Sequence, residues 1–362
     1  NMDFSVEDKL FVENFIKKTK GVKSERTRKI LEIQREWTEQ LKKCDEVELY
    51  IIKSTVIIAG TCTGFVSNRI IRDVEFDYVI VDEAAKATFP ELAVSLNKAH
   101  KIILVGDHQQ LPPVLDTEII RNNKEKLDEE GLAQGIFERM YNMFPEDNKH
   151  RLTIQYRMHP TIGTLISHVF YNDEIQNGVE AQDRELCIEG YEGIAIEWIS
   201  TSKYSTKERY EKEFDNNGKK SYQNYLERNI IERKLLELDS KLVKRTKVAV
   251  ITGYGSQKYI LQTMVKQHSF KHIEVDVDTV DAFQGSQKDI ILYSTVRSSG
   301  NKYGIGFLKS EARINVAFSR ARCLLIIVGD MKFLDNYKIR GNKFPEIIKY
   351  ITESEGCRII EK

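Results

Sequence analysis

The sequence predicts an α/β fold in two halves, each built on a parallel sheet. Two observations lead there. Short, continuous, β-branched apolar runs recur along the chain, as expected of strands buried on both faces of a parallel sheet. Stretches with helical periodicity separate them, which gives the β-α-β order of a layered α/β domain.

The elements follow in order. Residues 3 to about 50 are rich in charge and carry helical spacing at Leu10, Phe11 and Phe15, then at Ile30, Ile33, Trp37 and Leu41, with a break near Gly21. From Lys53 the texture changes. STVIIAG (54–60), FDYVIVD (76–82) and KIILVGD (101–107) read as strands, and PELAVSLNKA between the second and third reads as a helix. A polar stretch from 116 leads into GLAQGIFERMYNMF, a helix stopped by Pro145, and a domain boundary is expected near 150. A second strand series then begins: GIAIEWIS (193–200), KVAVITGY (247–254), IEVDVDTV (273–280), KDIILYSTV (288–296) and CLLIIVGD (323–330). Helices are expected at 222–243 and 257–268, and the Lys-, Glu-, Asn- and Gly-rich segment Thr201–Lys220 reads as a mobile loop.

Composition bounds the function. With 362 residues the chain exceeds one ordinary domain, and 41% hydrophobic residues suffice for a core. Lys plus Arg equals Asp plus Glu at 55 each, so net charge gives no argument for nucleic-acid binding, and any basic surface is local. Cys44, Cys62, Cys187, Cys323 and Cys357 are far apart and form no CxxC pair. That excludes a zinc or disulfide framework and predicts buried free thiols in a reducing compartment. No apolar run is long enough to cross a bilayer and no leader is evident, so an intracellular protein, cytoplasmic or nuclear, is expected.

Two strands of the first half end in acids. FDYVIVD runs into Asp82 and Glu83, and KIILVGD ends at Asp107, with Gln110 close behind. Ligands in open parallel sheets bind beyond the carboxyl ends of strands. An Asp there can hold Mg²⁺ before nucleotide phosphates, and the adjacent acid can orient a water. Taken alone, Asp82-Glu83 could equally be an exposed helix start, where acids favour the N-terminal dipole. The second acid-tipped strand favours the nucleotide.

The ordered set VIVDEAAKA, ILVGDHQQLPPV, LTIQYRMHP, TVDAFQGSQKDIILYSTVR and RINVAFSRAR resembles the motifs of superfamily 1 helicases of the Upf-like group, over roughly residues 50–335. GLAQGIFERM and VFYNDEIQNG are similar to connecting segments of that group. The resemblance implies two RecA-like domains. Residues 51–150 would form part of the first and 151–362 the second, with 1–50 a helical remnant of an accessory insertion. It implies ATP and Mg²⁺ as cofactors and single-stranded DNA or RNA as partner; a monomer is expected, with oligomeric state left open by the sequence. By the same resemblance, Asp82 binds magnesium, Glu83 activates water, Gln110 senses the γ-phosphate, and Arg157 and Arg320 reach the phosphates, Arg320 as an arginine finger. Tyr156 stacks on adenine, and Gly285, Gln287 and Asp107 line the nucleotide. Thr61, Thr252 and Thr279 bind nucleic-acid phosphates, where hydroxyls and amides can grip without net positive charge. SYQNYLERN matches a segment in which an Asn and a Glu recur, here Asn224 and Glu227, with no role attached.

The chain departs from the pattern in three places. Thr252-Gly253-Tyr254 stands where the family has Thr-Pro-Tyr, and Gln287 where it has Glu; Gln can still accept from a ribose hydroxyl through its carbonyl. Nowhere does G-x-x-x-x-G-K-[ST] occur. The expectation is therefore a C-terminal part of a helicase that relies on an upstream phosphate loop and has little ATPase activity alone. A binding module without catalysis is the rival. A single-domain phosphate-loop kinase is disfavoured by the second half with SRAR and AFQG.

Overall fold

The computed structural model describes residues 25–41, 45–71, 74–113, 135–216, 219–299 and 304–361. The predicted helix around Leu10–Phe15, the break at Gly21 and the polar stretch at 116–134 lie outside them. The chain divides into two compact units, residues 1–81 with 89–103, and residues 82–88 with 104–362. No helix among the described residues is long and apolar enough to cross a membrane.

The first unit contains α1 (Glu25–Leu41), α2 (Asp45–Ser54), α3 (Cys62–Ser67), β1 (Phe76–Val81), α4 (Phe89–Leu96) and most of β2 (Ala99–Leu104). Helix α1 forms where the periodicity puts it, yet Ile30, Ile33 and Trp37 are exposed. Thr61 caps α3 by accepting from the Gly64 amide at 3.1 Å. Phe65 of α3 meets Phe76 of β1 edge-on, with centroids 6.0 Å apart. Two expectations fail here. STVIIAG is not a strand: α2 runs through Ser54, and Val56 and Ile57 then lie exposed in irregular chain. A strand needs a ladder neighbour, and among the described residues β1 and β2 pair only with each other. Nor are β1 and β2 buried on both faces, because two strands cannot cover themselves. Tyr78, Ile80, Ile102 and Ile103 are all exposed.

The second unit begins, after β2, with α5 (Ile136–Met143), the short pair β3 (Ile154–Gln155) and β4 (Gln176–Asn177), and α6 (Pro160–Phe170) between them. Then come β5 (Ile196–Ser200), α7 (Thr206–Arg209), β6 (Lys212–Asn216), β7 (Lys219–Gln223), α8 (Tyr225–Lys241), β8 (Thr246–Thr252), α9 (Gly255–Val265), β9 (Ile273–Thr279) and β10 (Lys288–Ser294). The chain closes with α10 (Glu311–Phe318), β11 (Ala321–Gly329), α11 (Met331–Asn336), α12 (Phe344–Glu353) and β12 (Cys357–Glu361). Six strands form one parallel sheet in the order β12-β5-β11-β10-β8-β9.

Period-two alternation splits the core between the two faces of this sheet. Trp198, Ile251, Ile291, Tyr293, Leu325 and Ile327 face α6, α10 and α12. Ile199, Val248, Val250, Leu292, Leu324 and Ile326 face α8 and α9. All five predicted strands of this half form. The expected mobile loop Thr201–Lys220 does not. It holds α7, fixed by a Ser205–Glu208 capping box, and the first strand of the antiparallel hairpin β6–β7. The hairpin is anchored by buried Tyr222, whose ring lies 5.4 Å from that of Tyr254 and under the Arg297 guanidinium. Cys62, Cys187, Cys323 and Cys357 are free thiols as expected, but none is buried.

At the sheet edge Glu197 is fully buried on β5. It accepts from Tyr191 and pairs with Lys234 at 3.1 Å and with Arg358, which fastens β12 to β5.

Candidate active site

The site lies within the second unit, where residues 82–88 and 104–113 pack with the loops that enter β10 and β11. Asp82 and Glu83 follow β1 in a tight turn. The Glu83 amide donates to Asp82 Oδ1 at 2.9 Å, and Glu83 sits at φ 53, in the left-handed region. The backbone turns there into a short 3₁₀ helix, Ala84–Lys86, whose Ala84 and Ala85 are buried. Gly106 runs against this turn. A Cβ on Gly106 would come within 2.9 Å of the Ala85 amide, which explains Gly before Asp107.

Asp107 accepts three hydrogen bonds from the protein. Its Oδ1 accepts from the Gln109 amide at 2.9 Å; its Oδ2 accepts from Gln110 Nε2 at 2.8 Å and from the Tyr171 hydroxyl at 2.6 Å. Asp107 therefore anchors Gln110 through Oδ2. Gln110 Oε1 accepts from Arg320 Nη2 at 3.2 Å.

Gln155 builds the turn that presents Tyr156 and Arg157. Its Oε1 accepts from the amides of Arg157 and Met158, and its Nε2 donates to the Met158 carbonyl and to Asn177. Arg184 clamps the same turn from outside, donating to the carbonyls of Tyr156 at 2.7 Å and Arg157 at 2.9 Å. Tyr156 itself is 63% exposed, an aromatic face held out on a pinned backbone.

Arg157 and Arg320 are the electrostatic centre. Among the described residues, the hydrogen bonds of both guanidiniums go to neutral acceptors. Arg157 donates to the Ser319 carbonyl, and Arg320 to the carbonyls of Val316 and Ser286, to Gln110 and to the Ser319 hydroxyl. Burial pushes the Arg157 pKa down, and the Glu83 carboxylate partly offsets it. Arg320, 2% exposed, is pushed down to about 10, first by burial and then by the Arg157 charge. Two like charges held in a desolvated cleft without a paired acid are costly unless an anion joins them.

Gly285, at φ 80, leaves the space beside its Cα empty, so a phosphate could approach the backbone there. Its neighbour Gln284 donates to Glu83 Oε2 at 3.4 Å. Gln287 is exposed. The structure thus brings Glu83, Asp107, Gln110, Arg157 and Arg320 together. Of the three threonines, Thr61 sits in the first unit as a helix cap. Thr279 ends β9 and is half-buried. Thr252 departs from expectation: its side chain is buried and its hydroxyl has no partner, so that oxygen is not presented to a ligand. Tyr171, Gln284 and Asn315 lie inside the quoted segments VFYNDEIQNG, TVDAFQGSQKDIILYSTVR and RINVAFSRAR without having been singled out, and Arg184 lies in none of them.

Asn224 and Glu227 turn out to clamp the end of β10. Asn224 caps α8 and donates to the Val296 carbonyl at 3.0 Å. The fully buried Glu227 carboxyl meets the Ser294 and Thr295 hydroxyls and the Val296 amide. Val296 is held at φ 69, which is strained for a β-branched residue.

Two family models, each described as an AAA domain, match residues 7–118 and 132–332. Among curated proteins the chain is similar to the Neurospora crassa "Regulator of nonsense transcripts 1 homolog", 34% identical over 81% of this chain and 26% of that protein. It is similar to the Saccharomyces cerevisiae "ATP-dependent helicase NAM7", 34% identical over 88% of this chain and 31% of that protein. It is also similar to the "Uncharacterized ATP-dependent helicase MJ0104" of Methanocaldococcus jannaschii, 29% identical over 94% of this chain and 48% of that protein. The chain thus spans about a quarter to a half of the length of these relatives.

Proposed function

The chain belongs to the AAA-domain family, in the Upf-like group of superfamily 1 helicases, and we propose that it is part of an ATP-dependent helicase or translocase acting on single-stranded DNA or RNA. What carries this reading is a pair of neighbouring cations, buried Arg320, which donates to Gln110, and half-buried Arg157 beside it, both in the field of Glu83. Fixed guanidiniums in a dry cleft suit the charge that spreads over a transferring phosphoryl group.

The roles follow from placement. Glu83 orients the attacking water, Gln110 reads the γ-phosphate, and Arg157 and Arg320 stabilise charge. Tyr156 offers its face to the base, with Gly285 and Gln287 at the phosphates and ribose. Magnesium fits Asp82: the carboxyl is exposed, one of its oxygens accepts from the Glu83 amide, no hydrogen bond reaches the other among the described residues, and Mg²⁺ takes few protein ligands beside phosphates and water. When bound, the ion would neutralise phosphate charge. Thr61, Thr279 and the backbone around Thr252 would meet nucleic-acid phosphates. Residues 51–150 would belong to the first RecA-like domain and 151–362 to the second, in a monomer. The chemistry also calls for a glycine-rich phosphate loop, absent from residues 1–362, which an upstream part of the protein would supply.

The test is ATP hydrolysis with and without single-stranded DNA and RNA, on this chain and on the full-length protein. The full-length protein is expected to hydrolyse ATP with stimulation by nucleic acid, to lose at least about a hundredfold in kcat with Glu83→Gln, and to outpace the chain alone. A full-length protein that is inert and indifferent to Glu83→Gln would instead make this a binding module.

A further inference from the structure

Gln110 can do nothing specific unless its amide faces one way, since its two ends have opposite hydrogen-bonding character. The structure holds that amide between two groups that each admit one polarity. Asp107 faces Nε2 and, as a carboxylate, can only accept; Arg320 faces Oε1 and can only donate. The direction of the amide therefore depends on Asp107 staying where it is.

Asp107 is held by the Tyr171 hydroxyl, a 2.6 Å charge-assisted hydrogen bond from the residue that follows α6. The Tyr171 oxygen in turn accepts from Asn315 Nδ2 at 2.8 Å. The same Asn315 nitrogen donates to the Gln109 carbonyl at 3.0 Å, one residue before Gln110. Asn315 lies on α10 and is fully buried. Burial and the Asp107 charge hold the Tyr171 phenol well above its ordinary pKa, so its proton stays in place to be donated. Every donor in this chain finds an acceptor. Arg320 donates to Gln110, Gln110 to Asp107, Asn315 to Tyr171, and Tyr171 to Asp107.

We propose that Tyr171 and Asn315 are positioning residues for ATP hydrolysis, setting through Asp107 the orientation in which Gln110 meets the γ-phosphate and its water. They touch no substrate. They fix which edge of the Gln110 amide donates, leaving its second N–H for phosphate oxygen and its second carbonyl lone pair for the attacking water. The inference rests on the ATPase reading above and names two residues outside its motif set of acids, glutamine and arginines.

The experiment uses the full-length protein with saturating single-stranded nucleic acid. Tyr171→Phe keeps the ring and removes only the hydroxyl, so packing around α6 is preserved. The expected result is a kcat lowered about tenfold, with KM for ATP and nucleic-acid affinity within about twofold of wild type. Asn315→Leu should act in the same direction. In a Gln110→Ala background Tyr171→Phe should cost nothing further, because its effect passes through Gln110. A wild-type kcat for Tyr171→Phe, or a full additional loss in the Gln110→Ala background, would overturn the inference while leaving the ATPase reading intact. A wild-type rate for Glu83→Gln would overturn the reading itself and the inference with it. A readout independent of activity comes from the 362-residue chain labelled with ¹⁵N-glutamine. The Gln110 side-chain amide, assigned by its loss in Gln110→Ala, should move on Tyr171→Phe, and an unmoved resonance would refute the coupling.

Discussion

Glu227 lends itself to a quantitative test. Its carboxyl is fully buried at the end of β10, and burial raises its pKa from the ordinary 4.5 to about 8. The donors from Ser294, Val296 and Thr295 oppose that rise, and the Glu211 charge adds to it. The folded protein thus keeps a proton on Glu227 up to about pH 8, whereas the unfolded chain releases it near 4.5. Stability from this group is fully present below 4.5 and is lost as pH rises through 8, at up to about 1.4 kcal/mol per unit. A shift of this size amounts to about 5 kcal/mol once the group is fully ionised.

Glu227→Gln isolates the effect. Gln Oε1 can accept from Thr295 and the Val296 amide, and its Nε2 can donate to Ser294, as a neutral Glu would. Trp198, fully buried in the sheet, reports on unfolding of this unit, and Trp37→Phe removes the other tryptophan. Urea titrations of both proteins at pH 5 to 9 should show the wild type losing about 3–4 kcal/mol relative to Glu227→Gln between pH 5 and 8. All other groups titrate alike in the two proteins, so the difference belongs to Glu227. A difference constant within about 0.5 kcal/mol would mean that the donors hold the carboxylate charged and that burial loses.

Two further outcomes follow from the site and the sheet edge. Arg184→Met removes the clamp on the Tyr156 and Arg157 carbonyls, and should raise KM for ATP in the full-length protein about tenfold with little change in melting temperature, read by steady-state kinetics and calorimetry. Glu197→Ala leaves Lys234 and Arg358 without their shared buried carboxylate and should cost about 3–5 kcal/mol in urea unfolding, whereas the exposed pair Arg245–Glu274 should be nearly neutral when broken.

The sheet of the second unit was legible because each strand carries its own evidence. Residues 248–251 of KVAVITGY and 324–328 of CLLIIVGD are apolar at every position, and a strand covered on both faces uses such a run. The same texture misled at 54–60. β-Branched residues favour a strand only if a neighbour completes the ladder, and composition does not reveal whether one is there. The hairpin at 212–223 was missed for the opposite reason. Its Lys-, Glu- and Asn-rich sequence reads as loop, while its anchors, Tyr222 under Arg297 and Gln223 on the Ser256 carbonyl, depend on residues far along the chain.

The site divides in the same way. Acids at strand ends and arginines in SRAR and QYRM announce chemistry because charge is conspicuous at those places. Tyr171 and Asn315 lie in the similar segments VFYNDEIQNG and RINVAFSRAR, but nothing in their own chemistry marks a role there. A Tyr after an apolar helix and an Asn inside one are each ordinary core or surface residues until the fold places them. Asp107, Tyr171 and Asn315 are separated by 64 and 144 residues in sequence and converge within hydrogen-bond distance. What makes them a unit is polarity, since Asn315 must donate for Tyr171 to pass its own proton towards Asp107, and Asp107 must accept for Gln110 to face Arg320. A side chain that works only by setting the direction of its neighbour's hydrogen bond has no signature of its own in the sequence, and its function is readable only from the order of donors and acceptors in the folded site.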